Sequence, residues 1–436
     1  MPPPPRGSSF EGDAMDLGPA PSSMRLALIS FEYPPAVAIG GIGTYAWQAS
    51  RMLAEAGDDV VVFAAGVSDS VEHPMPRVTV HRIAATARPE FAFALVPVLR
   101  TEHARHAFDV VEAPEIGPEG LPAFEALPEL ARVVKLHTPT YWVNRIGYEP
   151  PTRRQQLRVI LGALRRGRWQ RVRPPVYAPA DDAERRGALL ADEIAAPSRA
   201  IAELLMREWT LDPARVHTFP LPFEPPSALL DLPVPTQTRT IGFLGRLEPR
   251  KGVVEMARAI PTILRSAPHL SFRFIGPSWS YHGGDMRQWM ERRLHAFRSR
   301  LHFTGAVAPR DIPAELAQCD VLVLPSRWEN FPFACWEAMA SGRAVIASSA
   351  GGMAEVIEPG ISGLLVRPRS SRAIADAVVE LAQSTLRVAS LGSAGRARVQ
   401  ALLSPARVYP LQRAGYERAK AAAHRRRSIN VAPSLA

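Results

Sequence analysis

Short apolar runs recur along the chain, each followed by a loop and then by a longer stretch with helical spacing. MRLALIS from Met24 to Ser30 is the first such run; a Pro- and Gly-rich loop and a helix from about Thr44 to Ala56 follow it. DDVVVFAAG, RVTVHRIAA, FDVVEAP and ARVVKLHTP read as further strands, and DEIAAPS leads into the helix SRAIAELLMREW. Continuous apolar runs that alternate with helices predict a parallel sheet covered on both faces. The alternation then starts again. RTIGFLGRL, LSFRFIG, LHFTGAV, DVLVLPS and AVIASSAGG read as strands, with VVEMARAIPTIL, IPAELAQ and ACWEAMASG as helices between them.

The proline-dense segment FPLPFEPPSALLDLPVPTQT separates the two series and is the natural linker. The pattern predicts an α/β protein of two doubly wound, Rossmann-like domains facing across a cleft, with ligands beyond the carboxyl ends of the strands. The boundaries are a disordered Pro/Ser/Gly leader over 1–23, a first domain over 24–222 and a second over 223–405. A helix follows over 406–425, then a basic, disordered tail over 426–436. Met24 is an alternative start.

Composition adds three constraints. The chain has 436 residues, 47% hydrophobic and 22% charged, as in a globular protein of two or three domains. Its two cysteines, Cys319 and Cys335, match neither a metal-ligand spacing nor a disulfide framework, which predicts a reducing, cytoplasmic setting. The formal net charge of +10 is partly local, because Arg153, Arg154, Arg158, Arg165, Arg166, Arg168, Arg171 and Arg173 fall in one segment. That segment reads as a solvated helix face, as a peripheral contact with an anionic membrane, or as a surface for an anionic acceptor. Nucleic acid is not expected, because no aromatic residues are interleaved with the arginines as a stacking platform.

The candidate chemistry lies at strand ends. GRLEPRKG, Gly245 to Gly252, follows a strand and precedes a helix, so Arg246 and Lys251 are placed where a diphosphate would meet a helix N-terminus. A basic surface turn is the competing reading. In RWENFPFACWEAM, Glu329 hangs from the loop and Glu337 lies in the first helical turns. Carboxylates suit paired sugar hydroxyls, and the N–H groups of Asn330, Phe331 and Phe333 are free at the helix start. Gly351 and Gly352 would let a ligand approach closely. In the first domain, Gly40, Gly41 and Gly43 form a glycine loop that is not G-x-G-x-x-G, since Ala46 stands at the third position. His137 ends a strand and reads as a hydrogen-bonder facing the cleft or as a satisfied core histidine; Glu112 and Glu115 end its neighbour, where either could be a plain loop acid.

Together these residues resemble the retaining glycosyltransferases of family 4, which have the GT-B fold. The resemblance runs from Met24 to about Tyr416. Glu329 and Glu337 are similar to that family's E-x7-E signature, GRLEPRKG to its phosphate loop, and IAAPSRAIAELL to its APS element. SAGGMAEVIEPGISGLLV matches the stretch after the signature.

The resemblance implies transfer of a hexose from a GDP- or UDP-sugar to a glycan, lipid-linked or small-molecule acceptor, in polysaccharide or glycoconjugate synthesis. Arg246 and Lys251 would bind the diphosphate and stabilise it as it leaves. Glu337 would hold the ribose hydroxyls and Glu329 the transferred sugar, with Asn330 and Phe331 beside them. His137 would touch the sugar, Gly41 would approach the phosphates, and the last helix would cross back with Tyr416 packed on the first domain. The nucleotide sugar is a substrate, so no cofactor is implied. No Asp-x-Asp motif ends a strand, which makes metal independence the expectation.

Two departures bear on geometry: Pro220-Leu221-Pro222 stands where Asn is frequent between prolines, and Asn330 where glycine is common. A GT-B-fold sugar-nucleotide epimerase and a catalytically silent nucleotide-sugar binder are the alternatives. A dinucleotide-dependent oxidoreductase is disfavoured by the missing third glycine and the missing acid after VVVFAAG.

Overall fold

The computed structural model describes residues 22–37, 40–151, 153–169, 176–281 and 283–431. Two sheets carry the chain. The first takes eight strands between Arg25 and Thr218. Numbered along the chain they lie in the order 3-4-2-1-5-6-7-8, all parallel except the pairing of the third with the fourth. The central strands are buried on both faces because helices cover each side: every residue from Val60 to Gly66 is buried. Ser70–Met75, the antiparallel third strand, was not anticipated. It is a polar edge strand containing Pro74, the one place in a sheet where a missing N–H is tolerated.

The second sheet has six parallel strands between Thr240 and Val366. Numbered from Thr240–Leu244, they lie in the doubly wound order 3-2-1-4-5-6. A small hairpin, Ser280–Tyr281 with Gly284–Asp285, stands beside it. This is the GT-B arrangement expected of the chain.

Two boundaries differ from expectation. The first helix spans Gly41–Glu55, three residues earlier than its apolar spacing suggested; Gly40 is its N-cap in an extended conformation. The last helix spans Pro405–Val431, so the basic run His424–Arg427 is helical and not a disordered tail. Its Arg426 turns inward, donating to Asp192 Oδ2 at 2.9 Å and to the Leu130 carbonyl at 3.0 Å, while Arg425 and Arg427 face solvent. Residues 1–21, most of the proposed leader, lie outside the described residues, as do Arg171 and Arg173.

That helix lies on the first domain. Tyr416 is buried and donates to Glu112 Oε2 at 3.0 Å, Arg413 pairs with Asp58 at 2.8 Å, and Arg418 pairs with Glu193 at 2.6 Å. Each contact gives a buried carboxylate the partner that burial demands.

Candidate active site

The turn Pro249–Lys251 closes on Gly252, whose φ is +76° and whose missing Cβ would fall 2.1 Å from the Pro325 carbonyl oxygen. Only glycine fits there. The turn delivers Lys251 Nζ to 2.6 Å from Glu329 Oε1, and Arg250, buried beneath, reaches the same oxygen at 3.4 Å. Burial pushes the Glu329 carboxyl up, but Lys251 and Arg250 together overcome it and hold the carboxyl below its usual range. Lys251 moves the other way on balance, lowered by burial more than Glu329 raises it. The 2.6 Å geometry and the second cation on Glu329 decide the point in favour of an ionised pair at neutral pH.

Arg246 stands two residues beyond the strand Thr240–Leu244. Its guanidinium lies over the Trp279 ring at 5.2 Å, with only a loose contact to Glu248 at 3.5 Å. It therefore keeps most of its fork free. It lines a cavity of about 720 Å³ that also takes Arg250 and Trp279 from the second domain and Asn144, Glu149 and Pro151 from the first.

Glu337 sits in the helix Phe333–Ala340, and its side chain makes no hydrogen bond or ion pair among the described residues. Burial pushes its carboxyl up to about 7. A carboxylate held without a partner in this way leaves its acceptor capacity unused. Gly41 approaches the same helix, its missing Cβ 3.6 Å from the Phe333 ring.

His137 ends a strand of the first sheet with its ring edge-on to Tyr45, the centroids 5.5 Å apart. Burial, reinforced by Lys135 and Arg88, lowers it to about 3, so the imidazole is neutral and makes no side-chain hydrogen bond among the described residues. Its backbone N–H donates to Glu115 Oε2 at 2.7 Å. Glu115 and Glu112 are thus buried structural acids and not loop acids, and burial lifts Glu115 to about 8.

Asn330 is placed differently from the expectation. Its side chain is committed between the domains: Oδ1 accepts from Ser198 Oγ at 2.8 Å, and Nδ2 donates to the Leu136 carbonyl at 3.3 Å and to the His137 carbonyl. Only its backbone N–H remains for a ligand. Phe331 likewise buries its ring against Trp336, with centroids 4.9 Å apart, and offers only its N–H. The reading of Gly351 and Gly352 also needs correction. Their missing Cβ atoms would fall 1.8 Å from the Glu329 carbonyl oxygen and 1.9 Å from that of Asn330, so the close approach is by the chain itself and not by a ligand.

Two sequence models match complementary stretches: Glycosyltransferase Family 4 over residues 39–225 and Glycosyl transferases group 1 over residues 238–384. The chain is a glycosyltransferase of the GT-B type. It is 28% identical over 375 residues to a glycogen synthase of Mycobacterium tuberculosis, covering 81% of this chain and 85% of that one. It is 33% identical over 171 residues to a GDP-mannose-dependent alpha-(1-6)-phosphatidylinositol monomannoside mannosyltransferase of the same organism, 37% of this chain and 43% of that one. The solved sucrose-phosphate synthase of Thermosynechococcus elongatus superposes with a TM-score of 0.68 at 22% identity, over 89% of this chain and 98% of that one.

Several residues that shape this transferase's cleft escaped the sequence reading. Arg250 is the second cation on Glu329. Glu355, from the second domain, accepts from the N–H groups of Arg199 and Ala200 at 2.9 Å each, capping a first-domain helix. Arg327 bridges Glu149 of the first domain and Glu255 of the second. The motif AGGMAEVI and the helix start at Ser198 were both legible, but a cap supplied from 155 residues away has no local signal. Among the described residues no group of three or more His, Cys, Asp or Glu side chains is placed to hold a metal ion.

Proposed function

We propose that this glycosyltransferase takes a hexose from a GDP- or UDP-sugar and transfers it with retention of configuration, without a metal, to a glycan, lipid-linked or small-molecule acceptor in the cytoplasm. Cell-surface polysaccharide or glycoconjugate synthesis is the setting that suits such an acceptor. The observation that carries the reading is the cation pair at one strand end: Arg246 with a free fork, and Lys251 held 2.6 Å from Glu329.

As the sugar–phosphate bond breaks, negative charge grows on the departing diphosphate. Arg246 and Lys251 stabilise that charge, a role a metal plays elsewhere. Glu329 holds Lys251 in place until the donor arrives and then faces the transferred hexose. Glu337 accepts two ribose hydroxyls, and the free N–H groups of Asn330 and Phe331 take further oxygens. His137, neutral, hydrogen-bonds a sugar hydroxyl without adding charge. The departing phosphate oxygen takes the acceptor's proton on the face where the new bond forms, so configuration is kept. The mannosyltransferase relative supports a GDP-linked donor by its name, and the resemblance to family 4 supports retention.

Calorimetric titration with GDP, UDP and their sugar conjugates, in chelator, tests the donor assignment. Tight binding of one series is expected. A folded protein that binds none of them would refute it. Lys251→Ala should then lower kcat by a larger factor than it weakens donor binding, because charge on the leaving group develops only in the transition state. Equal losses would remove Lys251 from that role.

A further inference from the structure

The helix Arg153–Leu164 presents an apolar stripe to solvent. Leu157, Leu161 and Leu164, four and three residues apart on one face, are 56%, 50% and 50% exposed, and Trp169, just beyond the helix, is 64% exposed. The covered positions of the same helix lie to one side of the leucines: Ala163 is fully buried, and Val159 and Ile160 are half-buried. The three leucines are the part of the helix's apolar face that the described residues leave open.

What surrounds this stripe identifies its partner. From Arg153 to Trp169 the sequence contains six arginines and no acidic residue. Arg158, Arg165, Arg166 and Arg168 are all exposed, and none pairs with a carboxylate among the described residues. The helix ends in a left-handed glycine, Gly167 at φ +67°, with Gly167 N–H donating to the Leu164 carbonyl and Arg168 N–H to the Ala163 carbonyl, each at 2.9 Å. Arg168 and Trp169, both exposed, follow directly on that cap. Leucines flanked by unpaired arginines, with an aromatic ring at the margin, match the polar–apolar boundary of a negatively charged bilayer. A partner protein's acidic patch would satisfy the arginines but not three half-exposed leucines in line with them.

Position adds a consequence. Gly147, Glu149 and Pro151, immediately ahead of this helix, line the cavity that also holds Arg246 and Trp279. The helix Thr140–Gly147 before them packs against the Pro249–Lys251 turn. A membrane docked on the leucine stripe would lie beside the rim of the interdomain cleft. We propose that the face formed by Leu157, Leu161, Leu164 and Trp169, with its surrounding arginines, docks on the surface of an anionic bilayer and brings the cleft to a lipid-linked acceptor. The docking surface stands on its own observations; only the acceptor clause rests on the glycosyl-transfer reading.

The test is co-sedimentation of the full chain with vesicles of phosphatidylcholine alone or containing phosphatidylglycerol, at low and high salt. Binding only to the phosphatidylglycerol vesicles is expected, weakened by salt. The triple variant Leu157→Ser/Leu161→Ser/Leu164→Ser should partition about tenfold less or weaker still. Nucleotide titration of the same preparations should show unchanged affinity, because none of the three leucines is in the donor site. The proposal is overturned by no binding to phosphatidylglycerol vesicles, by equal binding to both kinds, or by undiminished binding of the variant. It is also overturned if the wild type is a dimer that the variant dissociates without any vesicle binding, since the face then belongs to a second copy. Vesicle binding by a protein that binds no nucleotide would sink the donor assignment and leave the docking surface in place.

Discussion

Glu337 concentrates the chemistry at the scale of a single residue. Its carboxyl is pushed up to about 7 by burial alone, from an ordinary value of 4.5, and no cation offsets the cost. In the unfolded chain the proton leaves near 4.5, while the folded protein keeps it to about 7, so the folded state binds more protons between those values. Stability must therefore fall as pH rises through that window, and below it the difference vanishes. Glu337→Gln should melt at a higher temperature than the wild type at pH 8 and at the same temperature at pH 4, read by calorimetry without ligand. A variant that melted lower at pH 8 would show a hidden partner for the carboxylate. Donor binding should act in the opposite sense. Hydroxyls stabilise the ionised form, so binding between about pH 6 and 7 should release a proton, visible as a dependence of the heat on the buffer's ionisation enthalpy. Glu337→Ala should weaken donor affinity by about 10- to 150-fold, the value of hydrogen bonds worth roughly 1.5–3 kcal/mol to a charged group.

Loops and helix starts carry the next level, and here close approaches of backbone decide which residues are allowed. Gly252→Ala would put a methyl group 2.1 Å from the Pro325 carbonyl oxygen in a left-handed conformation, forcing the Lys251 turn away from Glu329. Loss of donor affinity with a retained circular dichroism spectrum is the expected outcome, and wild-type affinity would show that the turn's exact position is immaterial. Asn330 ties three groups of the first domain to the second. Asn330→Ala leaves Ser198 Oγ and the Leu136 and His137 carbonyls without this partner. The His137 carbonyl still accepts from Thr138 Oγ1 and Ser198 Oγ from the Ile201 N–H, so the cost of roughly 1–3 kcal/mol falls chiefly on the groups left wholly unpaired. The urea midpoint should drop with an unchanged slope; an unshifted midpoint would mean water replaces the amide without loss. The strand ends and the helix after Glu329 were legible at this scale, because each is written in a contiguous apolar run. The role of Asn330 was not, since its partners lie between 132 and 194 residues away.

The molecule as a whole is closed by its last helix. Pro405–Val431 leaves the second domain and supplies partners to four buried acids of the first: Asp58, Glu112, Asp192 and Glu193. Removing one member of a buried ion pair is expensive, of order 3–5 kcal/mol, because the other charge stays behind. Arg413→Ala should therefore destabilise the first domain far more than a surface arginine substitution such as Arg425→Ala. Differential scanning calorimetry would show an early transition if the domains melt separately, and no difference between the two variants would contradict the pairing with Asp58.

The sequence by itself determined the alternation of strands and helices, the linker, the cation loop and the pair of glutamates, because each is encoded in a short contiguous run. It also carried the arginine cluster and the leucines at helical spacing. Only the tertiary structure decided which of those leucines face solvent, that Gly351 and Gly352 admit backbone, that Arg250 joins Lys251 on Glu329, and that the basic end of the chain is helix with Arg426 turned toward Asp192. The physical reason is common to all four. Burial, desolvation and ion pairing depend on what lies across a packed interface, and that neighbour comes from a distant part of the chain, within one domain or between the two, and not from the local run of side chains.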